Sequence, residues 1–421
     1  MVIVMKENSI YLSDLKNNSF YLKYKKALSE FQCYRNGVLP LCAAENIISE
    51  FSKQPLMLGL QERYILDGYL NYNEQANMIG SKKLLPFYKL VSSQCEDLFA
   101  AKYTDCRSLS GMNALQNILL ALVKHGDTVL IQSPESGGHA ALPNILEKLD
   151  INYLEIPYDY NNLNYDYDKA NNVLNNNSIQ FMLLAPTDIL FLPNFNKFLI
   201  PSETTLIYDA SQVLAFYINN QVENPLVSNN RVILMGGTHK TIPGVTKALI
   251  MTNDENLATK IDRVINPLYL RNTHMQNVAS LVLTLLEMQY FAEEYCSHML
   301  KNSNYLGEKL KQYGLDVINR KGVFSNTHQL FLHMEREIAD NFFDLANRYG
   351  ITLNVKNKKL FNGYGIRLGV QEITRYGWRE EEIDVVSQIL FLLYIKRTEQ
   401  VPALLDQLAT NKDIQYTFKR I

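Results

Sequence analysis

The sequence predicts an α/β protein: a large domain on a mostly parallel sheet, then a smaller α+β domain. Three observations carry this. Six short apolar segments between residues 127 and 254 are mostly continuous rather than alternating, the pattern of strands covered on both faces. Helical or irregular stretches separate several of them, as parallel crossovers require. After them comes a long helical region without proline, then a mixture of short strands and helices.

In chain order, residues 1–35 read as an N-terminal helical arm, with Tyr21, Tyr24, Leu28 and Phe31 at helical spacing. Residues 36–275 form the expected large domain. It opens with one helix in SKKLLPFYKLVSSQCEDLFAAKY and another in ALQNILLALVKHG, which ends at Gly126. The strand segments follow: DTVLIQS (127–133), INYLEIPY (151–158), IQFMLLAP (179–186), TTLIYDAS (204–211), RVILMGG (231–237) and TKALIMTND (246–254). The Asn-rich clusters Asn161–Asn164 and Asn171–Asn177 are polar loop material. Residues 276–421 form the expected small domain. It contains a helix from Gln276 to Tyr313 interrupted only by Gly307, then GLDVI, THQLFLHM, a helix over Glu337–Tyr349, YGIRLGV and a last helix from Glu380 into Lys396.

Composition narrows the function. The 421 residues hold 41 Lys and Arg against 43 Asp and Glu, a net charge of −2, which excludes a basic nucleic-acid footprint. Apolar residues at 47% and charged residues at 20% are those of an ordinary globular protein able to bury a core. The five cysteines are scattered, with no CxxC and no Cys/His spacing, so neither a disulfide framework nor a metal site is expected. The N-terminus lacks the basic and long apolar regions of a signal peptide, and the apolar stretch Ile389–Ile395 is too short to span a bilayer. The expectation is a cytoplasmic protein with no membrane and no nucleic-acid partner.

In open α/β sheets ligands bind beyond the carboxyl ends of the strands. Three such ends carry polar groups. In RSLSGMNALQ, Ser110 and Gly111 precede a helix, whose free backbone N–H groups and a hydroxyl suit an anion; a plain N-cap serine is the competing reading. In YDASQ, Asp209 ends an apolar run. A buried carboxylate must be paired, and one use is to keep a pyridinium nitrogen protonated; capping the next loop is the other. In GGTHKT, Lys240 follows a core strand. Lysine is rarely buried unpaired, and a desolvated amine is what Schiff-base chemistry needs, although a snorkelling lysine gives the same pattern. Anion loop, carboxylate and lysine together match the phosphate, ring nitrogen and aldehyde of pyridoxal 5′-phosphate.

Longer segments resemble the serine hydroxymethyltransferase-like family. GGTHKTIPG resembles its TTTHKTLxGPRGG, LCAAENIIS (41–49) its LIxSENxxS, and SLSGMNA (108–114) its HSGSQAN. PESGGHAAL (134–142) resembles the AHGGH loop, LIYDASQVLAF (206–216) LFVDMAHVAGL, and YGIRLGVQEITRYGW (364–378) xGIRVGTPAITRRGF. The resemblance implies the fold-type-I architecture of pyridoxal-phosphate-dependent transferases and an α-amino-acid substrate. It implies that Lys240 binds the cofactor aldehyde and Asp209 its ring nitrogen. Ser110, Gly111 and Met112 would hold its phosphate, and Thr187 its phenolic oxygen. Thr238 and His239 flank the lysine, and Ser136, His139 and Gln212 fall on cofactor-side positions. Arg367 would bind the substrate carboxylate, Glu45 lies on the substrate-side segment with Ala44 and Asn46, and Tyr64 lies near a tyrosine that reaches the other subunit of a homodimer.

The departures concern one-carbon transfer. The family's acid/base glutamate in YAEGY corresponds to Asp67 in a segment one residue longer. The ring-stacking histidine aligns with Ser136, and the histidine after the pyridine aspartate with Gln212. INPLYLRNTH and KNKKLFN replace family loops that serve folate. The expected chemistry is therefore aldol or retro-aldol cleavage without folate, as in an aldolase or transaldolase. A folate-dependent hydroxymethyltransferase, another pyridoxal-phosphate reaction such as transamination or decarboxylation, and a non-catalytic binding protein remain alternatives.

Overall fold

A computed structural model describes residues 15–68, 70–228 and 231–419; residues 1–14 of the expected arm lie outside them. The described part of the arm is the helix Ser19–Gly37. Asn18 starts it by accepting from the backbone N–H groups of Phe20 (3.0 Å) and Tyr21 (3.1 Å). It buries no residue, and Phe20, Tyr24, Leu28 and Phe31 are exposed.

The large domain is built on seven strands: β1 (Tyr103–Asp105), β2 (Thr128–Ile131), β3 (Asn152–Glu155), β4 (Phe181–Leu184), β5 (Thr205–Asp209), β6 (Val232–His239) and β7 (Pro243–Thr252). Their spatial order is β1-β7-β6-β5-β4-β2-β3. β2 to β6 pair in parallel, and β7 alone runs antiparallel to both neighbours. The continuous apolar runs have the predicted cause: β4 and β5 are buried at every position, and β6 at all but its last. β3 is an edge strand and is correspondingly exposed. The topology brings the carboxyl ends of β2, β4, β5 and β6 to one rim of the sheet. The helix Gly111–Leu122 begins there too, because β1 runs in the same sense.

The small domain holds an antiparallel sheet of β8 (Gln329–His333), β9 (Asn354–Lys358) and β10 (Gly363–Gly369), with β10 in the centre. The 38-residue helix Met275–Gln312 joins the two domains. Its first part, through Met299, packs in the large-domain core, and Leu306 and Leu310 pack in the small one. The segment after the arm also crosses over: Leu39–Pro40 pairs with Ile351–Thr352, and Leu39 and Leu41 lie in the small-domain core. The expected division at residues 275 and 276 thus falls at the start of a helix that both cores share.

Several elements differ from expectation. GLDVI forms no strand, only a bridge of Val317 to Leu332. The helix expected to reach Gly126 ends at Leu122, because Val123 turns extended and Asp127 closes a turn onto Lys124. β1, β9 and the helix Val401–Ala409 were not foreseen. β1 has three residues, and β9 reads NVKNK, whose strand state comes from register against the apolar β10.

Candidate active site

β5 ends at Asp209, and β6, its parallel neighbour, leads directly into Lys240. Asp209 is 7% exposed. Its Oδ1 accepts from the backbone N–H (2.9 Å) and hydroxyl (2.5 Å) of Ser211, whose Oγ in turn accepts from the Gly237 N–H at 2.8 Å. The helix Gly111–Leu122 starts against this cluster. A Cβ on Gly111 would stand 2.8 Å from Ser211 Oγ, so only glycine lets the helix N-terminus approach the strand ends so closely. Ser110 caps the helix, accepting from Asn113 N–H at 3.2 Å, and Met112 is half-buried behind it.

Lys240 is held by its backbone. Asn46 Nδ2 donates to the Lys240 carbonyl (2.5 Å) and to the Tyr295 hydroxyl (2.9 Å). The buried Gln212 amide lies 3.1 Å from Lys240 Nζ. With its oxygen facing the amine it accepts from Nζ, while its nitrogen donates to the Ala43 carbonyl at 3.1 Å. Burial lowers the Lys240 pKa, and Asp209 offsets part of that effect. The Lys240 residue as a whole is half-buried.

Two imidazoles flank the lysine. His139 is half-buried, and its Nδ1 accepts from the Ala141 N–H at 3.3 Å. Burial lowers its pKa, with Asp209 opposing and Lys240 reinforcing the shift. His239 is pushed down to about 4 by burial and by Lys240, and its Nδ1 has no hydrogen-bond partner. Both shifts favour the neutral imidazole. Ser136 is buried with its hydroxyl donating to the Ser133 carbonyl at 3.0 Å, so in this loop His139 is the residue whose ring meets the field of Asp209 and Lys240. Thr238 is also buried, and its hydroxyl donates to the Val245 carbonyl at 2.7 Å.

The loop after β4 carries Thr187 and Asp188. Gly137 holds it to the His139 loop, its carbonyl accepting from the N–H groups of Thr187 (2.8 Å) and Asp188 (3.1 Å). The single proton of the Thr187 hydroxyl is shared between the Gly137 carbonyl and Asp188 Oδ2, both at 3.2 Å. Opposite stands Arg367 on β10, 5% exposed. Its Nη1 donates to the Thr187 carbonyl (2.8 Å) and Asp188 Oδ1 (2.9 Å), and its Nε and Nη2 to Asn354 Oδ1 (3.2 and 2.6 Å). Asp188 also meets Lys356 (3.1 Å) and Lys358 (2.6 Å) from β9. Burial alone would raise the Asp188 carboxyl, but Arg367, Lys358 and Lys356 outweigh it and hold it at about 2.

Three expected residues are not joined to this group within the chain. Asp67 is buried in its own loop, accepting from Asn73 N–H and Asn77 Nδ2, each at 3.1 Å. Tyr64 is exposed. Glu45 is exposed, and its carbonyl accepts from Gln371 at 2.6 Å. Sequence reasoning missed Asp188, Lys356 and Lys358. The only signal was an acidic residue directly beyond an apolar strand and a basic run in a segment read as loop.

A strand-end lysine with a lowered pKa, a carboxylate on the neighbouring strand end and a helix N-terminus at its side define a fold-type-I enzyme dependent on pyridoxal phosphate. The donor set fits that group: Gly111 lets a helix N-terminus, an anion-binding element, stand against the strand ends, Asp209 is an ion partner for a ring nitrogen, and Lys240 offers an amine. The serine hydroxymethyltransferase family model matches residues 27–390, and the chain belongs to that family. The serine hydroxymethyltransferase of Picrophilus torridus is 31% identical over 407 residues, covering 89% of this chain and 90% of its own. That of Sulfolobus acidocaldarius is 29% identical over 374 residues, covering 85% and 84%. The solved L-threonine transaldolase of Pseudomonas fluorescens shares the fold with a TM-score of 0.89 at 24% identity, over 97% of this chain and 96% of that one. Among the described residues no helix is long and apolar enough to cross a membrane, and no group of three or more His, Cys, Asp and Glu residues could hold a metal.

Proposed function

We propose that this enzyme makes or breaks the Cα–Cβ bond of a β-hydroxy α-amino acid without folate. The observation that carries the folate-free reading is Asp67. By resemblance this carboxylate is the nearest equivalent of the family's acid/base glutamate, in a segment one residue longer; it is one methylene shorter and is bound by Asn73 and Asn77 in its own loop. The solved transaldolase of the same fold is a protein whose name describes such chemistry.

Bound pyridoxal phosphate supplies an electron sink at the amino acid's Cα. In this reading Lys240 anchors the cofactor, Ser110, Gly111 and Met112 face its phosphate, and Asp209 keeps its ring nitrogen charged. Arg367 receives the substrate carboxylate and so sets which Cα bond lies perpendicular to the ring. Held by Lys240, Asp209 and the Ser110–Met112 turn, the cofactor would supply the acceptor for the electron pair of the Cα–Cβ bond in the cleavage direction. Cβ leaves as a carbonyl once the β-hydroxyl proton has been taken by a base. His139 is that base: neutral, half-buried and next to Lys240. Asn46 and Gln212 position the lysine.

The same reading makes the active form a homodimer. Met57, Leu58, Met78 and Ile79 are exposed on the segment that carries Tyr64 and Asp67, an apolar surface suited to a second copy. A fully active monomer by light scattering would contradict this.

The deciding experiment follows exchange of the glycine α-proton in deuterated water by NMR, with and without tetrahydrofolate. L-threonine or a related β-hydroxy amino acid is assayed in parallel for release of its aldehyde. Exchange and cleavage unaffected by folate are expected. A large acceleration of glycine exchange by tetrahydrofolate would restore the folate-dependent reading.

A further inference from the structure

Asp188 is fully buried and surrounded by cations: Arg367 Nη1 at 2.9 Å, Lys356 Nζ at 3.1 Å and Lys358 Nζ at 2.6 Å. A carboxylate has about four acceptor positions. Here Oδ1 takes Arg367 and Lys356, and Oδ2 takes Lys358 and the Thr187 hydroxyl, so its capacity is used. The cations are not. Each ammonium has three donors; Lys356 and Lys358 each give one to Asp188, and Lys358 reaches the Gly138 carbonyl only at 3.5 Å. Both lysine side chains keep a solvent-accessible face, 18% and 14%, whereas Asp188 has none. Three positive charges therefore surround one negative charge, and the two lysines that carry the surplus keep accessible surface.

The position of this surplus is specific. Lys358 lies beside Gly138, next to His139, and the fields of Lys358 and Asp188 both reach the His139 ring. Arg367 and Asp188 likewise act on Lys240. The cluster thus adjoins both the amine that anchors the cofactor and the base proposed above. The α-carboxylate of an ordinary amino acid, bound to Arg367, would neutralise one of the two surplus charges. The other would stay partly desolvated and unpaired, which is costly.

We infer that Lys356 and Lys358 form a second anion subsite, and that the substrate is an amino acid whose side chain carries its own anionic group, a carboxylate or a phosphoryl group. The inference rests on the reading of Arg367 as the α-carboxylate site and deepens it by naming the substrate class. The bland alternative, in which the lysines only anchor β9 to the large domain, predicts no preference among ligands.

The test titrates the reconstituted enzyme with O-phospho-L-serine, L-aspartate and L-serine. Binding is followed both by the cofactor absorbance band and by calorimetry, and the titrations are repeated on Lys356→Gln, Lys358→Gln and the double variant. Thermal melts verify that each variant is folded. The expected result is that one or both acidic ligands bind at least tenfold more tightly than L-serine, that the double variant loses this preference, and that L-serine affinity changes by less than about threefold. Equal binding of all three ligands by wild type overturns the inference, and so does a preference that survives in the double variant. Absence of any response to all three ligands would instead remove the amino-acid reading beneath it. Stability lost in the variants without a change in ligand preference would assign the lysines to anchoring alone.

Discussion

Replacing Asp188 by asparagine removes one negative charge from inside three positive ones while keeping the side chain's size. Two numbers set the expected cost. The carboxyl sits at about 2 against an ordinary 3.8, a gap worth about 2 kcal/mol of stability at neutral pH. That contribution is fully present above the ordinary carboxylate range and is lost as pH falls through about 2, because the depressed value belongs to the folded state. The second number is repulsion among the released cations. At about 5 Å and an effective dielectric of about 20, each pair repels by roughly 3 kcal/mol before the side chains relax toward solvent. Lys356 and Lys358 can relax through their accessible faces; Arg367, 6% accessible and tied to Asn354 and Thr187, cannot. The expected net loss is about 3–5 kcal/mol, as for other broken buried pairs. Urea unfolding at pH 7 in low-sulfate buffer measures it. Sulfate added to the buffer should restore stability to the variant far more than to wild type, since it supplies the missing anion. An Asp188→Asn protein as stable as wild type at pH 7, with no selective response to sulfate, would refute this account of the cluster.

Lys240→Ala should lose the cofactor absorbance band and the adduct trapped by borohydride while remaining folded; a retained reducible adduct would show that another amine holds the cofactor. Asp209→Asn should lower turnover by about 100-fold while retaining cofactor, because an amide cannot hold the ring nitrogen charged; full activity, measured as aldehyde release, would reduce Asp209 to a cap for Ser211. Arg367→Lys should weaken amino-acid binding by about 30-fold, since one ammonium cannot keep the bonds to Asp188, Thr187 and Asn354 and still present a donor to the substrate; unchanged affinity in a spectral titration would place the substrate carboxylate elsewhere.

Much of the large domain was legible because burial on both faces writes itself into sequence as uninterrupted apolar runs. β4, β5 and β6 are such runs, and reading past their ends led directly to Asp209 and Lys240. The small domain was less legible. β9 carries two lysines and two asparagines in five residues, a composition of loops, and becomes a strand only by pairing with β10. Its lysines therefore looked like solvated surface. Asp188 was hidden for a related reason: a carboxylate beyond a strand reads as a turn residue until its cationic partners, about 170 residues further along the chain, are placed beside it. The exchange of Ser136 for His139 at the cofactor-side loop was visible in sequence only as proximity. In the structure Ser136 is a buried turn hydroxyl, whereas the half-buried His139 ring lies in the field of Asp209 and Lys240.

The division of labour between the domains gives the cluster a further meaning. Lys240, Asp209 and His139 belong to the large domain, whereas Arg367, Lys356 and Lys358 come from the small sheet. Asp188 is the large-domain residue that all three small-domain cations grasp. It joins the domains beside the Gln329 and Thr327 contacts to the same loop, next to the position proposed for the substrate carboxylate. Arg367 is then already oriented before any ligand arrives, held by Asp188 on one edge and by Asn354 on the other. Such preorganisation lowers the entropy lost when an amino acid is fixed between Arg367 and the cofactor. It also leaves charge over: Asp188 neutralises one of the three cations, Arg367 remains for the α-carboxylate, and the two lysines carry the excess available to a second anion, so the anchor and the surplus charge are consequences of the same arrangement.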